Sequence, residues 1–133
     1  MIATSIWKHD QLFETRSESG HTVNLDGDSA HTYGPSPMEA VLMALCACTS
    51  VDVVSILKKK REPITGLTVS ATAEQAPAPP RTFTKILLTY KISGEVSQKA
   101  AEDAISLSKN KYCSVSKMLE KAATINYTIE LAD

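Results

Sequence analysis

Apolar and polar positions alternate over the first quarter of the chain in the manner of short strands. Ile2 to Trp7 and Leu12 to Thr15 are β-branched or aromatic runs, separated by the polar Lys8-His9-Asp10. Thr22 to Leu25 follows Ser19-Gly20 and ends on Asp26-Gly27, a dipeptide suited to a tight turn. These runs predict a small antiparallel meander. Tyr33-Gly34-Pro35-Ser36-Pro37 then breaks the pattern, and Ser36 with Pro37 supplies a helix N-cap and a first-turn proline.

The helix predicted there, about Pro37 to Lys60, reads PMEAVLMALCACTSVDVVSILKKK. Through Cys48 it is apolar on every face, and a helix of that kind must be buried all round. At ~1.5 Å per residue it extends on the order of 35 Å, the width of a small domain. One chain of 133 residues can hardly cover it. The pattern therefore predicts that a second subunit supplies part of the wrapping, with Ala40, Ala44 and Ala47 admitting another helix at close range. Lys58-Lys59-Lys60-Arg61 suits the negative end of the helix dipole.

After Pro63 the alternation returns. Leu67 to Ala73 and Phe83 to Ile92 predict two strands of a hairpin, joined through the proline-rich Ala76-Pro77-Ala78-Pro79-Pro80. Gln98 to Lys109 predicts an amphipathic helix with Ala101, Ala104 and Ile105 inward. A second short helix runs from Ser114 to about Ala122, with Val115, Met118, Leu119 and Ala122 on one face. Thr124 to Leu131 closes the chain as a period-2 strand. The order β-β-β-α-β-β-α-α-β predicts a single α+β domain over residues 1–133, a central apolar helix behind antiparallel sheet.

Charge and composition narrow the function. Fourteen basic and fifteen acidic residues leave a net charge of −1, so no basic field gathers phosphates and nucleic acid is not an expected partner. The longest uninterrupted apolar run, Ala40 to Cys48, is short of the roughly 20 residues of a membrane helix. The start, MIATSIWKHD, lacks the basic and apolar regions of a signal peptide. Three widely spaced cysteines do not suit a disulfide framework. A soluble, cytoplasmic protein without a membrane partner is expected. His9, His21 and His31 show no metal-ligand spacing, and Asp26-Gly27-Asp28 reads as a hairpin turn rather than a calcium loop. No cofactor motif is present, so no cofactor is expected.

The cysteines are the remaining chemistry. Cys48 lies inside the apolar helix and Cys113 just before the last short helix, 65 residues later. At a helix N-cap or first turn, exposed N–H groups favour a thiolate, and Lys109 and Lys111 lie close in sequence to Cys113. Local context thus makes Cys113 the more activated thiol. Asp52, one turn after Cys48, opposes a thiolate there. An activated Cys48 needs an arginine from elsewhere, and Arg16, Arg61 and Arg81 are the choices. Cys46 points about 200° from Cys48 on a helix, so the two form no C-x-C ligand pair, and Cys46 reads as packing. On composition alone, Cys48 and Cys113 read equally well as core residues. Glu39 falls in the first helical turn, where the dipole favours it.

Two stretches, GPSPMEAVLMALCACTSVDVVSIL and later KYCSVSKMLEKA, resemble in order and spacing the OsmC/Ohr family of osmotically inducible and organic hydroperoxide resistance proteins. The resemblance covers essentially the whole chain. It is closer to the less characterised OsmC-like proteins carrying S-P-M-E and D-V-V-S-I-L. It implies an intertwined homodimer, with antiparallel sheets wrapped around long central apolar helices. It also implies a thiol peroxidase acting on organic hydroperoxides. By its position eleven residues after Pro37, Cys48 matches the cysteine that attacks the peroxide, and Cys113 matches the one that then forms a disulfide with it. A dithiol such as a lipoyl group would be the reductant. The family's activating arginine comes from the N-terminal region, where Arg16 is the one available, with Glu39 as its orienter. The family's glutamate directly follows the proline, where this chain has Met38; Glu39 is one position later, a rotation of about 100°. Ser114 replaces the proline that usually follows the second cysteine. Two other functions fit the same residues: a small-molecule-binding dimer with structural thiols, and a sulfur-transfer or disulfide-handling enzyme.

Overall fold

The computed structural model describes residues 1–132, which divide into two compact units, Met1–Met43 and the chain from Ala44 onward. In the first unit β1 (Ala3–His9), β2 (Leu12–Ser17) and β3 (Thr22–Asp26) form the predicted antiparallel meander, in the order β1-β2-β3. Asp26-Gly27 does not make the hairpin expected of it, because no strand follows β3. Instead the buried Asp26 carboxylate accepts from Asp28 N at 2.8 Å and Tyr33 N at 3.0 Å. These two N–H groups hold the carboxyl below the usual aspartate value. Asp26 N donates to Pro35 O at 2.9 Å, closing the loop that leads to the helix.

Helix α1 (Pro37–Lys59) opens on a reciprocal cap. Glu39 N donates to Ser36 Oγ at 3.1 Å and Ser36 N to Glu39 Oε1 at 2.9 Å, the capping-box arrangement. It closes with Arg61 in the left-handed region, φ 59°. There Glu62 N donates to Leu57 O and Arg61 N to Lys58 O, at 2.9 and 3.0 Å, the pair of bonds of a Schellman end.

In the second unit β4 (Ile64–Gln75), β5 (Phe83–Gly94) and β6 (Thr124–Ala132) form a sheet with β5 in the centre. β4 and β5 are the predicted antiparallel hairpin. β6 departs from the antiparallel expectation: it runs parallel to β5, with Ile86 beside Ile125 and Tyr90 beside Ile129. A parallel neighbour needs a crossover, and α2 (Gln98–Leu107) with α3 (Ser114–Leu119) provides it. Between them Ser108–Tyr112 is a π-helical turn, closed by Cys113 N donating to Ser108 O at 2.8 Å. The predicted helix to Lys109 therefore ends as an α-helix at Leu107, and the helix expected to reach Ala122 stops at Leu119. Every second residue of β5 from Ile86 to Ile92 is buried, together with Ala100, Ala101, Ala104 and Ile105 of α2.

The stripe Leu45, Thr49, Val53 and Leu57 of α1 is buried, one residue per turn. By length and hydropathy α1 is apolar enough to cross a membrane, although its uninterrupted apolar run is short; only 22% of its most apolar window is buried. Its buried stripe is nevertheless that of a core helix, because Thr49 hydrogen-bonds to Tyr90 of β5.

Candidate functional site

The second unit brings Cys48 and Cys113 together. Cys48 is half-buried on α1, and Cys113 is fully buried between the π-turn and α3. Both are free thiols. The Cys113 thiol lies close enough to Cys48 for the two groups to influence each other's charge. Cys113 is also the N-cap of α3, and its Sγ accepts from Ser116 N at 3.3 Å. That N–H favours the thiolate, as the sequence suggested, but it is outweighed. Burial first, then proton sharing with Cys48, then the charges of Cys48 and Asp52, push the Cys113 thiol up to about 12. The expectation that Cys113 is the more activated thiol is thus overturned: in this pair Cys113 keeps its proton.

Lys109 and Lys111 do not help Cys113. Their ammonium groups lie over the rings of Tyr127 and Tyr112, 5.9 and 5.3 Å from the centroids. Cys46 lies apart from the pair in role, with burial alone pushing its thiol up, and Ser50 Oγ donating to its carbonyl at 2.6 Å.

A chain of buried hydroxyls adjoins the thiols, and the sequence did not announce it. Thr49 Oγ1 lies 2.7 Å from Tyr90 Oη and 2.8 Å from Ser108 Oγ, and Ser108 Oγ donates to Asp52 Oδ2 at 2.8 Å. Each hydroxyl has one proton. Since that of Ser108 goes to Asp52, Thr49 donates to Ser108 and Tyr90 donates to Thr49. Burial pushes the Tyr90 phenol up to about 12, so its proton is in place. Periodicity offered one clue only: Cys48, Thr49 and Asp52 are neighbours on a helix face. Beside Asp52 a groove of about 390 Å³ opens, lined by Ile56, Leu107 and Tyr112, with Lys59 and Lys60 also at its wall.

Arg16 and Glu39 lie in the first unit, and they do not pair with each other. Arg16 Nε donates to Glu14 Oε1 at 2.8 Å, and its Nη2 reaches the same oxygen. This bond with Arg16 holds the Glu14 carboxyl below its usual value. Glu39 is engaged by Ser36 in the helix cap and stands 3.4 Å from His31. In this chain Arg16 pairs with Glu14, and Glu39 with Ser36. The signal was available in the sequence, because residues two apart on a strand share a face. Of the other arginines, Arg61 ends α1 and Arg81 donates to Ala76 O at 3.3 Å. Among the described residues no cluster of His, Cys, Asp and Glu suited to a metal is present.

A mixed sheet crossed by helices, with two cysteines meeting between a long apolar helix and a short C-terminal one, defines a class of α+β proteins. Residues 27–128 match the family described as OsmC-like protein, and the chain belongs to that family. It is similar to Protein YhfA of Escherichia coli (strain K12), 42% identical over 132 residues and covering 98% of each chain. Among solved structures, an OsmC-like protein from Mycoplasma pneumoniae superposes with a TM-score of 0.87 at 21% identity, covering 99% of this chain and 96% of that one. The organic hydroperoxide resistance protein OhrB of Bacillus subtilis superposes with a TM-score of 0.71 at 12% identity, over 98% of each chain. These last two likenesses establish the fold.

Proposed function

We propose that this protein is a dimeric, cytoplasmic thiol peroxidase that reduces organic hydroperoxides through Cys48 and Cys113. The observation that carries this reading is the meeting of two free thiols, Cys113 buried and protonated beside Cys48. In the first step the Cys48 thiolate attacks the outer peroxide oxygen. The O–O bond breaks, the alkoxide takes a proton and leaves as an alcohol, and Cys48 becomes a sulfenic acid. In the second step the Cys113 sulfur attacks the Cys48 sulfur. Hydroxide leaves with the Cys113 proton as water, and a disulfide forms. A dithiol such as a lipoyl group then returns two electrons and two protons.

The chemistry of the second step suits the site. Once Cys48 is a neutral sulfenic acid, its negative charge, which had helped to push the Cys113 thiol up, is gone. Arg16 is assigned to stabilise the thiolate on the family resemblance, with Glu14 holding it. The homodimer is supported by the exposed apolar residues of α1, Ala47 and Val51 among them.

The test is consumption of cumene hydroperoxide with a lipoyl dithiol as reductant. Cys48→Ser abolishes turnover, whereas Cys113→Ser consumes one equivalent and stops with Cys48 as a sulfenic acid. Full turnover by Cys48→Ser overturns the assignment. A wild type that consumes no hydroperoxide would instead leave the small-molecule-binding dimer, which the missing family glutamate at Met38 favours.

A further inference from the structure

The groups that hold the two thiols against each other come from three separate elements. Thr49 and Asp52 stand on α1 beside Cys48, Tyr90 stands on β5, and Ser108 opens the π-turn that Cys113 closes. Ser108 and Thr49 are 0% and 1% exposed, so neither hydroxyl has water as an alternative partner. Ser108 is tied twice. Its side chain docks between Thr49 and Asp52, at 2.8 Å from each, and its carbonyl accepts from Cys113 N at 2.8 Å. A π-turn has a wider, less regular ladder than an α-helix and often marks a functional position. Without a side-chain anchor, such a turn has little to prevent its relaxing into the α-helical register of α2. That would swing Cys113 round the axis and away from α1.

We propose that Ser108, clasped by Asp52 and Thr49, is a positioning residue for disulfide formation: it locks the π-turn to α1 and so keeps Cys113 within disulfide reach of Cys48. This rests on the peroxidase reading for its biological use but not for its test. The clasp acts on the second step, in which sulfur must meet sulfur, and not on the attack of Cys48 on peroxide. Asp52 has a further electrostatic part. The groups facing Cys113 are Cys48 and Asp52 from α1, Tyr90 from β5 and the Ser116 N–H of α3. Of these Asp52 is the carboxylate, and its charge can be removed by asparagine while an oxygen for Ser108 is kept.

The experiment uses the full chain with one equivalent of cumene hydroperoxide, following Cys48 sulfenic acid by dimedone labelling and the Cys48–Cys113 disulfide by mass spectrometry. Ser108→Ala and the isosteric Thr49→Val are expected to oxidise Cys48 at the wild-type rate. They close the disulfide at least about tenfold more slowly, since each loses two hydrogen bonds of the buried chain. Thr49→Ser, which keeps the hydroxyl, restores closure. Asp52→Asn, which still offers an oxygen to Ser108, keeps closure but moves its pH profile to lower pH, a response that a purely structural role would not give. In parallel the disulfide equilibrium of each variant is read in a glutathione redox buffer without peroxide, and it shifts toward the dithiol in Thr49→Val. Wild-type closure and equilibrium in folded Ser108→Ala and Thr49→Val overturn the proposal, as does a wild-type pair that forms no disulfide in glutathione. A wild type that is inert to hydroperoxide but closes in glutathione overturns the peroxidase reading alone.

Discussion

At Cys113 two opposing influences act on one thiol. The Ser116 N–H at the start of α3 favours the charged form, and enclosure with Cys48 and Asp52 disfavours it; enclosure wins. The folded chain therefore holds this proton more tightly than the unfolded chain does. The contribution to stability is present in full below pH 9, the ordinary thiol value, and is lost as pH rises toward about 12. Urea midpoints measured against pH should fall more steeply above pH 9 in the wild type than in Cys113→Ala. Parallel curves would remove this account. The identities of Cys48 and Cys113 were legible in the sequence by resemblance. Which of them keeps its proton was not, because the groups that decide it come from α1 and β5, far along the chain. Glu14 was legible and overlooked: a glutamate two positions before Arg16 on a strand is a same-face partner, nearer than any helix glutamate.

At the scale of elements, β5 organises the second unit. Its buried residues Ile86, Leu88, Tyr90 and Ile92 follow the period of two that the sequence displays. Ile86 is 1% exposed and central in the sheet. Ile86→Ala should cost about 2–5 kcal/mol in urea unfolding, the transfer of the lost methyl groups plus the cavity left behind. A cost well below that range would mean the site collapses around the smaller side chain. Alternation revealed which face of each strand is buried, but it is the same read in either direction. The parallel course of β6 follows from the crossover, in which α2, the π-turn and α3 return the chain to the end of the sheet where β5 starts. The π-turn left no mark in the pattern either. Its five residues, SKNKY, are as polar as those of an exposed helix end, and the clasp on Ser108 that sustains it is tertiary.

At the scale of the whole molecule, α1 presents apolar surface that a single chain leaves open. Val51 is 66% exposed and shares an edge of the helix with Ala44 and Ala47, three and four residues apart. Polar groups interrupt this helix at Asp52 and Thr49, and both are tied to Ser108. A second copy of the chain therefore suits the open face better than a lipid surface. Light scattering should give twice the 14.4 kDa chain mass. Val51→Lys, which buries an unpaired ammonium in that contact, should shift the protein toward the monomer. A wild type that is monomeric at every concentration would exclude the dimer.

The sequence by itself determined the elements, because hydrophobic periodicity and caps act within a few residues. Ser36, Glu39 and Pro37 start α1, alternation makes the strands, and the all-round apolarity of α1 demands cover. It also singled out Cys48 and Cys113 as candidate reactive groups. Tertiary structure alone decided the direction of β6, the π-turn, and the proton kept on Cys113. Each of these depends on burial or on a hydrogen bond between residues distant in the chain, where local pattern admits more than one outcome and packing selects one.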